Sequence, residues 1–210
     1  MRTTITITIL SGLMFLGACS DPAANKTKAV TGEAAQVASP QSARGQKYQI
    51  TPQNSKIDFV GSKVTGTEHG SFEKFSGEID YTGAPENSRV NITIEMDSVR
   101  TDSAGLETHL KSADFFDVAK FPQATFVSTA IKAGGDKGAS HTVTGNLTLH
   151  GVTKSITFPA TIAVTPDTAT VDSTFSINRK EFGIMYAGKS NDLIRDAVVL
   201  TFHIRANKAG

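Results

Sequence analysis

Tryptophan is absent from this chain, and cysteine occurs once, as Cys19. No intramolecular disulfide can form, and no paired-cysteine metal site exists, so a fold must rest on buried apolar surface alone. Charge of either sign is not in surplus either. The 210 residues carry 21 Lys and Arg against 20 Asp and Glu, for a formal net charge of +1. That balance excludes the electrostatic footprint of a nucleic-acid binder, and no run of like charges forms a basic arm. The 5 histidines, at 69, 109, 141, 150 and 203, never fall in a His-x-x-x-His pair, so no metal site is expected. There is no Gly-x-Ser-x-Gly elbow and no Walker loop, and Gly66, Gly70 and Gly77 have the wrong spacing for a dinucleotide loop. No internal repeat is present.

What is there begins at the N-terminus. MRTTITITILSGLMFLGACSD has one early positive charge, Arg2, and then no charge up to Cys19. The length and flanks predict a secretory signal over 1–18 in place of a membrane span. Its last residues, Leu16-Gly17-Ala18-Cys19, resemble the bacterial lipobox, in which the cysteine is diacylated and becomes the new N-terminus. An unpaired exported thiol calls for such a role, and several acyl chains hold a protein firmly to a bilayer. The expectation is a periplasmic lipoprotein anchored through Cys19. Ser20 directly after the cysteine, with Asp21 one place later, favours the outer over the inner membrane.

Residues 19–45 then form the expected lipidated cysteine and flexible tether. The stretch is rich in Ala, Thr, Ser, Gln and Lys, and its only large aliphatics are Val30 and Val37. Such a composition buries too little surface to offset its ordering entropy. As a flexible coil it would span about 25–30 Å and let the domain float free of the membrane.

From residue 46 to 207 the pattern has period two. Val90, Ile92, Ile94 and Met96 alternate with polar residues. Ile156, Phe158, Ala160, Ile162 and Val164 do the same, as do Val171, Ser173, Phe175 and Ile177, and Val198, Leu200, Phe202 and Ile204. Alternation marks strands with one apolar and one wet face. Weaker strands run through 57–64, 70–81, 124–132 and 142–150. Pro159 marks an edge or a bulge in its strand. Gly-, Asn-, Asp- and Pro-rich clusters at 82–88, 133–140, 151–153 and 166–168 fit hairpins, not βαβ crossovers. About eight strands joined this way predict an all-β antiparallel meander that closes into a barrel, since closure hides the edges. A barrel of that size fills its interior or holds one small ligand.

One stretch breaks the period. Thr101–Lys111 has Asp102 or Ser103 as N-cap candidates and Leu106 and Leu110 at i,i+4, so a short helix is expected. A second short helix or turn is expected over 179–184. Beyond the first helix come Phe115 and Phe116, adjacent rings between aspartates. Neighbouring side chains on one regular element point apart, so this pair is expected in an irregular segment. The two rings would close one end of the barrel or border its mouth.

A series of segments carries a resemblance: Tyr48-Gln49-Ile50, Gly70-Ser71-Phe72-Glu73-Lys74-Phe75-Ser76-Gly77, Asp97-Ser98-Val99-Arg100-Thr101, Asp114-Phe115-Phe116-Asp117 with Phe121-Pro122, the run from Val143 to Lys154, and the run from Ile177 to Ile184. In this order they resemble the YceI-like family of bacterial periplasmic proteins over 46–207. The resemblance implies an extended eight-stranded, lipocalin-like barrel. It implies binding of a long isoprenoid lipid, polyprenyl or quinone-like, with no other cofactor, no catalytic residue and no metal. Two features depart. Thr51-Pro52-Gln53-Asn54-Ser55 lacks the familiar histidine, and the missing tryptophan removes a common lipocalin feature.

The expected reading is a lipid-anchored binding protein, not an enzyme, serving transport, storage or an envelope stress response. The expected ligand-binding residues are the inward members of the alternating runs and the aromatic pair: Ile92, Ile94, Met96, Phe115, Phe116, Leu147, Leu149, Phe158, Ile162, Phe175, Leu200 and Phe202. The alternative is a non-catalytic envelope interaction protein with a filled barrel. A closed edge argues for a monomer, while a long exposed seam would allow a homodimer. His203 is expected outside the barrel, and His150 in a turn hydrogen bond. Arg179, beside Glu181, is expected to clamp the chain where the last strands meet, the alternative being to bind an anionic head group. Asp97, Arg100 and Asp102 are expected as a local cluster at the helix entry. Single carboxylates such as Asp58 and Asp114 make no acid–base pair by themselves.

Overall fold

The alternating runs become the staves of a closed barrel. The structure is a computed structural model describing residues 21–37 and 45–210. The expected signal peptide, Cys19 and part of the expected tether lie outside the described residues.

Each of the first three staves is interrupted once. β1 runs through Gln46–Ile50 and Lys56–Lys63, β2 through Gly66–Phe72 and Phe75–Tyr81, and β3 through Arg89–Glu95 and Val99–Thr101. A helix α1, Ala104–Lys111, follows. The remaining staves are β4 (Gln123–Ala133), β5 (His141–Leu149), β6 (Val152–Val164), β7 (Thr168–Asn178) and β8 (Ala197–Lys208). Each pairs antiparallel with the next, and β8 returns to pair with β1 through Val199↔Val60 and Asn207↔Gln49. This is the expected eight-stranded antiparallel barrel. The β5–β6 hairpin turns on two residues, His150 and Gly151, both at positive φ, as a tight hairpin matched to strand twist demands.

The α1 entry follows its capping logic. The Ser103 hydroxyl accepts from the Leu106 amide at 3.4 Å. Arg100 bridges Glu73 at 3.1 Å and Glu107 at 3.7 Å, so its ionic partners are these and not the expected Asp97 and Asp102. After α1 the chain winds irregularly to Pro122. The Phe116 amide bonds back to the Leu110 carbonyl, and Asp117 adopts a φ of 45°. The expected second helix is a 3-10 turn, Arg179–Phe182.

The expected tether is ordered where it is described. Thr27–Lys28 pairs parallel with β7, through Thr27↔Phe175, and Val30–Glu33 pairs antiparallel with β6, through Val30↔Thr157 to Glu33↔Lys154. β6 and β7 pair with each other only over Thr161–Val164 and Ala169–Asp172. Below that fork they part, and residues 27–33 insert between them as a strap. The reason is backbone hydrogen bonding more than apolar burial: Ala29 is buried against Phe158 and Phe175, while Val30 stays outside. Side chains add to it. Lys154 bridges Glu33 at 2.8 Å, and Asn146 exchanges hydrogen bonds with the Ala35 backbone. Pro159, the residue without an N–H, sits at the fork between strap and β7, and its carbonyl accepts from the Ser173 hydroxyl at 2.6 Å.

Candidate functional site

Alternation sends one face of every stave inward, and the inward side chains do not fill the barrel. An inner space of about 60 Å³ is enclosed by side chains including Val90, Ile92, Phe126, Ile156, Phe158 and Phe202. A middle space of about 140 Å³ lies between the barrel wall and the α1 segment. The two share Ile94, Leu147, Leu200 and Phe202 as common wall. A third space of about 270 Å³ opens to solvent, and shares Phe59, Gly61, Leu110, Phe115 and Ile194 with the middle one. The three form a file from the depth of the barrel to a mouth.

The expected ligand residues come together on this file, with one exception. Ile92, Phe158 and Ile162 line the inner space, Ile94, Leu147, Leu200 and Phe202 line both inner spaces, and Met96, Leu149 and Phe116 line the middle one. Phe115 stands where the middle space meets the mouth. Phe175 lines none of the three. It is fully buried and stacks on Phe158 with ring centroids 4.2 Å apart, so it supports the wall beneath the strap. The adjacent rings serve different neighbours, as expected of an irregular segment. Phe115 packs against His109 and Tyr186, and Phe116 against Phe72.

Other wall residues were not singled out by sequence. Ile57 and Phe59 alternate and were findable. Tyr186 and Ile184 come from the segment between the 3-10 turn and β8, where no period exists. Two glycines shape the lumen from behind. A Cβ on Gly70 would stand 2.2 Å from the Phe59 ring, and one on Gly145 would stand 2.4 Å from the Phe126 ring. Each ring thus occupies the space that a side chain at its glycine would need.

The inner and middle spaces present few polar groups, and two of these, Ser173 and Arg179, are occupied. Ser173 donates to Pro159. Arg179, 4% exposed, borders the middle space but directs its guanidinium to the carbonyls of Ile184 at 2.7 Å, Arg195 at 3.1 Å and Ile194 at 3.4 Å. This is the expected clamp, with Asp196 at 3.6 Å as its ionic partner. Burial lowers the Arg179 pKa, and the Asp196 charge opposes that shift. Arg179 thus holds a flap, residues 184–196, whose short hairpin pairs Gly188 with Leu193 and forms one side of the mouth.

The mouth is polar. His109 Nε2 meets Asp114 Oδ2 at 2.9 Å, and the His109 ring stands edge-on to Phe115 and Tyr186. Lys63 bridges Glu68 at 3.3 Å and Asp192 at 3.6 Å, and hydrogen bonding to Glu68 together with its charge raises the Lys63 pKa. For Asp192, partial burial pushes upward, but hydrogen bonds from the Thr65 hydroxyl and amide and the charge of Lys63 together leave it below the ordinary carboxylate value. Elsewhere His203 pairs with Asp172 on the outer wall at 2.7 Å, and His150 Nδ1 lies 3.3 Å from the Phe182 carbonyl. Among the described residues no group of His, Cys, Asp and Glu could hold a metal ion.

A slender file, wholly apolar at depth and bearing charged groups at its opening, suits an amphipathic chain molecule with its tail inside. Comparison with known proteins agrees on the architecture. The profile of the YceI-like domain matches residues 48–206. A UPF0312 protein of Pseudomonas putida (strain W619) is 40% identical over 133 residues, covering 60% of this chain and 68% of the relative. Among solved structures, Burkholderia cenocepacia BcnA superimposes with a TM-score of 0.66 at 28% identity, over 75% of this chain and 99% of that one. A polyisoprenoid-binding domain from Saccharophagus degradans superimposes with a TM-score of 0.63 at 18% identity, over 79% and 99%, and shares the fold.

Proposed function

Because the chain belongs to the YceI-like domain family, we propose that its barrel holds one long isoprenoid-type lipid, a polyprenol or a quinone, and performs no chemistry on it. The observation that carries this reading is the file of adjacent apolar spaces that share walls from the barrel interior to the mouth. Its inner spaces are too narrow for a bulky ligand, since small-molecule pockets commonly measure about 300–1,000 Å³. A flexible chain can thread them by moving the shared Leu147, Leu200 and Phe202 side chains. Burial of such a tail is favourable by about 25 cal/mol per Å² before ordering costs. The polyisoprenoid-binding neighbour of the same fold supports the ligand class. The lipobox-like sequence at Cys19 supports a periplasmic protein anchored in a membrane, the outer one by its Ser20. The anchored domain would then carry or store its lipid in the envelope.

The test blocks the file. Leu200→Trp places an indole where inner and middle spaces meet, and adds a single tryptophan to a chain that has none. Uptake of a fluorescent polyprenol analogue should fall by about tenfold or more, equivalent to ~1.4 kcal/mol, with a thermal transition still present. His203→Ala, on the outer wall, should bind as the unmodified protein does. Undiminished uptake by a folded Leu200→Trp variant would place the ligand outside the lumen.

A further inference from the structure

Among the described residues the exposed large aliphatics are Val30, Val37, Val64, Met185 and Leu193. Three sit on the segments that border the mouth, beside its lining residues: Val64 at the β1–β2 tip, 58% exposed, with Met185 at 61% and Leu193 at 50% on the flap. Val64 and Leu193 are joined directly, the Val64 amide donating to the Leu193 carbonyl at 3.1 Å. Tyr186, next to Met185, lines the mouth itself. Isolated exposed aliphatics are ordinary on a soluble surface, but Val64 and Leu193 share one surface groove beside the mouth, with Met185 on the same flap.

The strap brings the N-terminal side of the chain to the same end. Asp21 Oδ2 lies 3.8 Å from Arg195 on the flap, and Asp21 shares a surface groove with Val64, Leu193 and Lys180. Cys19 is two residues before Asp21 in the sequence. Even fully extended, that interval reaches only about 7 Å. A free tether would leave the domain's orientation open. A leash this short, beginning on the mouth rim, does not.

We propose that the mouth end is a membrane-docking face, with Val64, Met185 and Leu193 entering the bilayer surface beside an anchored Cys19. This rests on the lipid-anchor reading above and deepens the lumen reading. The occupant is the bilayer, not a protein partner, because the anchor holds this face within reach of lipid. The charged groups around the patch include Lys63, Lys180, Lys189 and Arg195, set against Asp21, Glu68, Asp192 and Asp196, so neither sign dominates. Apolar contact then supplies the attraction, and the local concentration set by the anchor makes a small patch sufficient. A lipid could pass between bilayer and lumen through the mouth without crossing water.

The experiment uses the full chain in nanodiscs of phosphatidylethanolamine and phosphatidylglycerol bearing head-group nitroxides. Single cysteines at Met185, Leu193 and, at the opposite end between β6 and β7, Asp167 carry a fluorophore. Quenching at 185 and 193 with none at 167 is expected. The combined Val64→Ser, Met185→Ser and Leu193→Ser variant, labelled at Lys189→Cys, should lose the quenching that the Lys189→Cys protein alone shows. Equal quenching at both ends, or none at either end of a chain whose intact mass carries the acyl groups, overturns the proposal. An unacylated Cys19 also overturns it, because the leash is gone, yet leaves the lumen reading intact. A quenched mouth on a protein that takes up no lipid would keep the docking face and remove the cargo.

Discussion

Arg179 decides whether the mouth keeps its shape. Its charge is buried, and its donors satisfy three flap carbonyls at once. Truncation leaves those carbonyls and Asp196 without it, at a cost of about 3 kcal/mol. Urea denaturation of Arg179→Ala should show that loss, and Arg179→Lys should not restore it, because a point donor cannot replace a planar fork. Gly145 acts on the lumen from behind. Gly145→Ala drives the new methyl into Phe126 and should cost about 1–3 kcal/mol while reducing lipid uptake, as the displaced ring moves toward the inner space. Asp192 gives a pH dependence. Its pKa is depressed in the folded state, so its contribution is present above the ordinary value of about 3.9 and is lost as pH falls through the lower folded value. Protection of the Val64 amide against hydrogen exchange should therefore persist at about pH 5 and fail only below about pH 4. Asp192→Asn should show weaker protection without that step.

At the scale of elements, period two reported the staves because each has one face in the barrel and one in water. The Ser103-capped helix was legible from its cap and its i,i+4 leucines. Pro159 was legible as a warning, and its meaning is the fork between β6 and β7. The strap was not legible. Its strand buries only Ala29 as an apolar side chain, and its stability comes from backbone pairing with two open edges, which leaves no hydrophobic period in the sequence. The wall residues of β3, β5 and β8 followed from alternation. Phe175 obeyed the same alternation but packs under Phe158, since a period assigns a face and not a layer. The flap residues Ile184 and Tyr186 had no period to betray them. An Ala29→Glu substitution should eject the strap without unfolding the barrel. Amides along 154–157 and 175–177 should then exchange faster, and the freed edges should promote association visible by size-exclusion chromatography.

For the whole molecule, closure of β8 onto β1 leaves an interior that is neither solid nor wide. A filled-barrel interaction protein would need the inner and middle spaces to be packing defects. The walls they share with each other and with the mouth favour a route for a chain. The most direct test is the native mass of the full chain purified from its own cells, followed by solvent extraction and identification of what is released. One isoprenoid lipid per chain at near-full occupancy is expected. A protein that emerges empty, and stays empty when supplied with polyprenols and quinones, would contradict it.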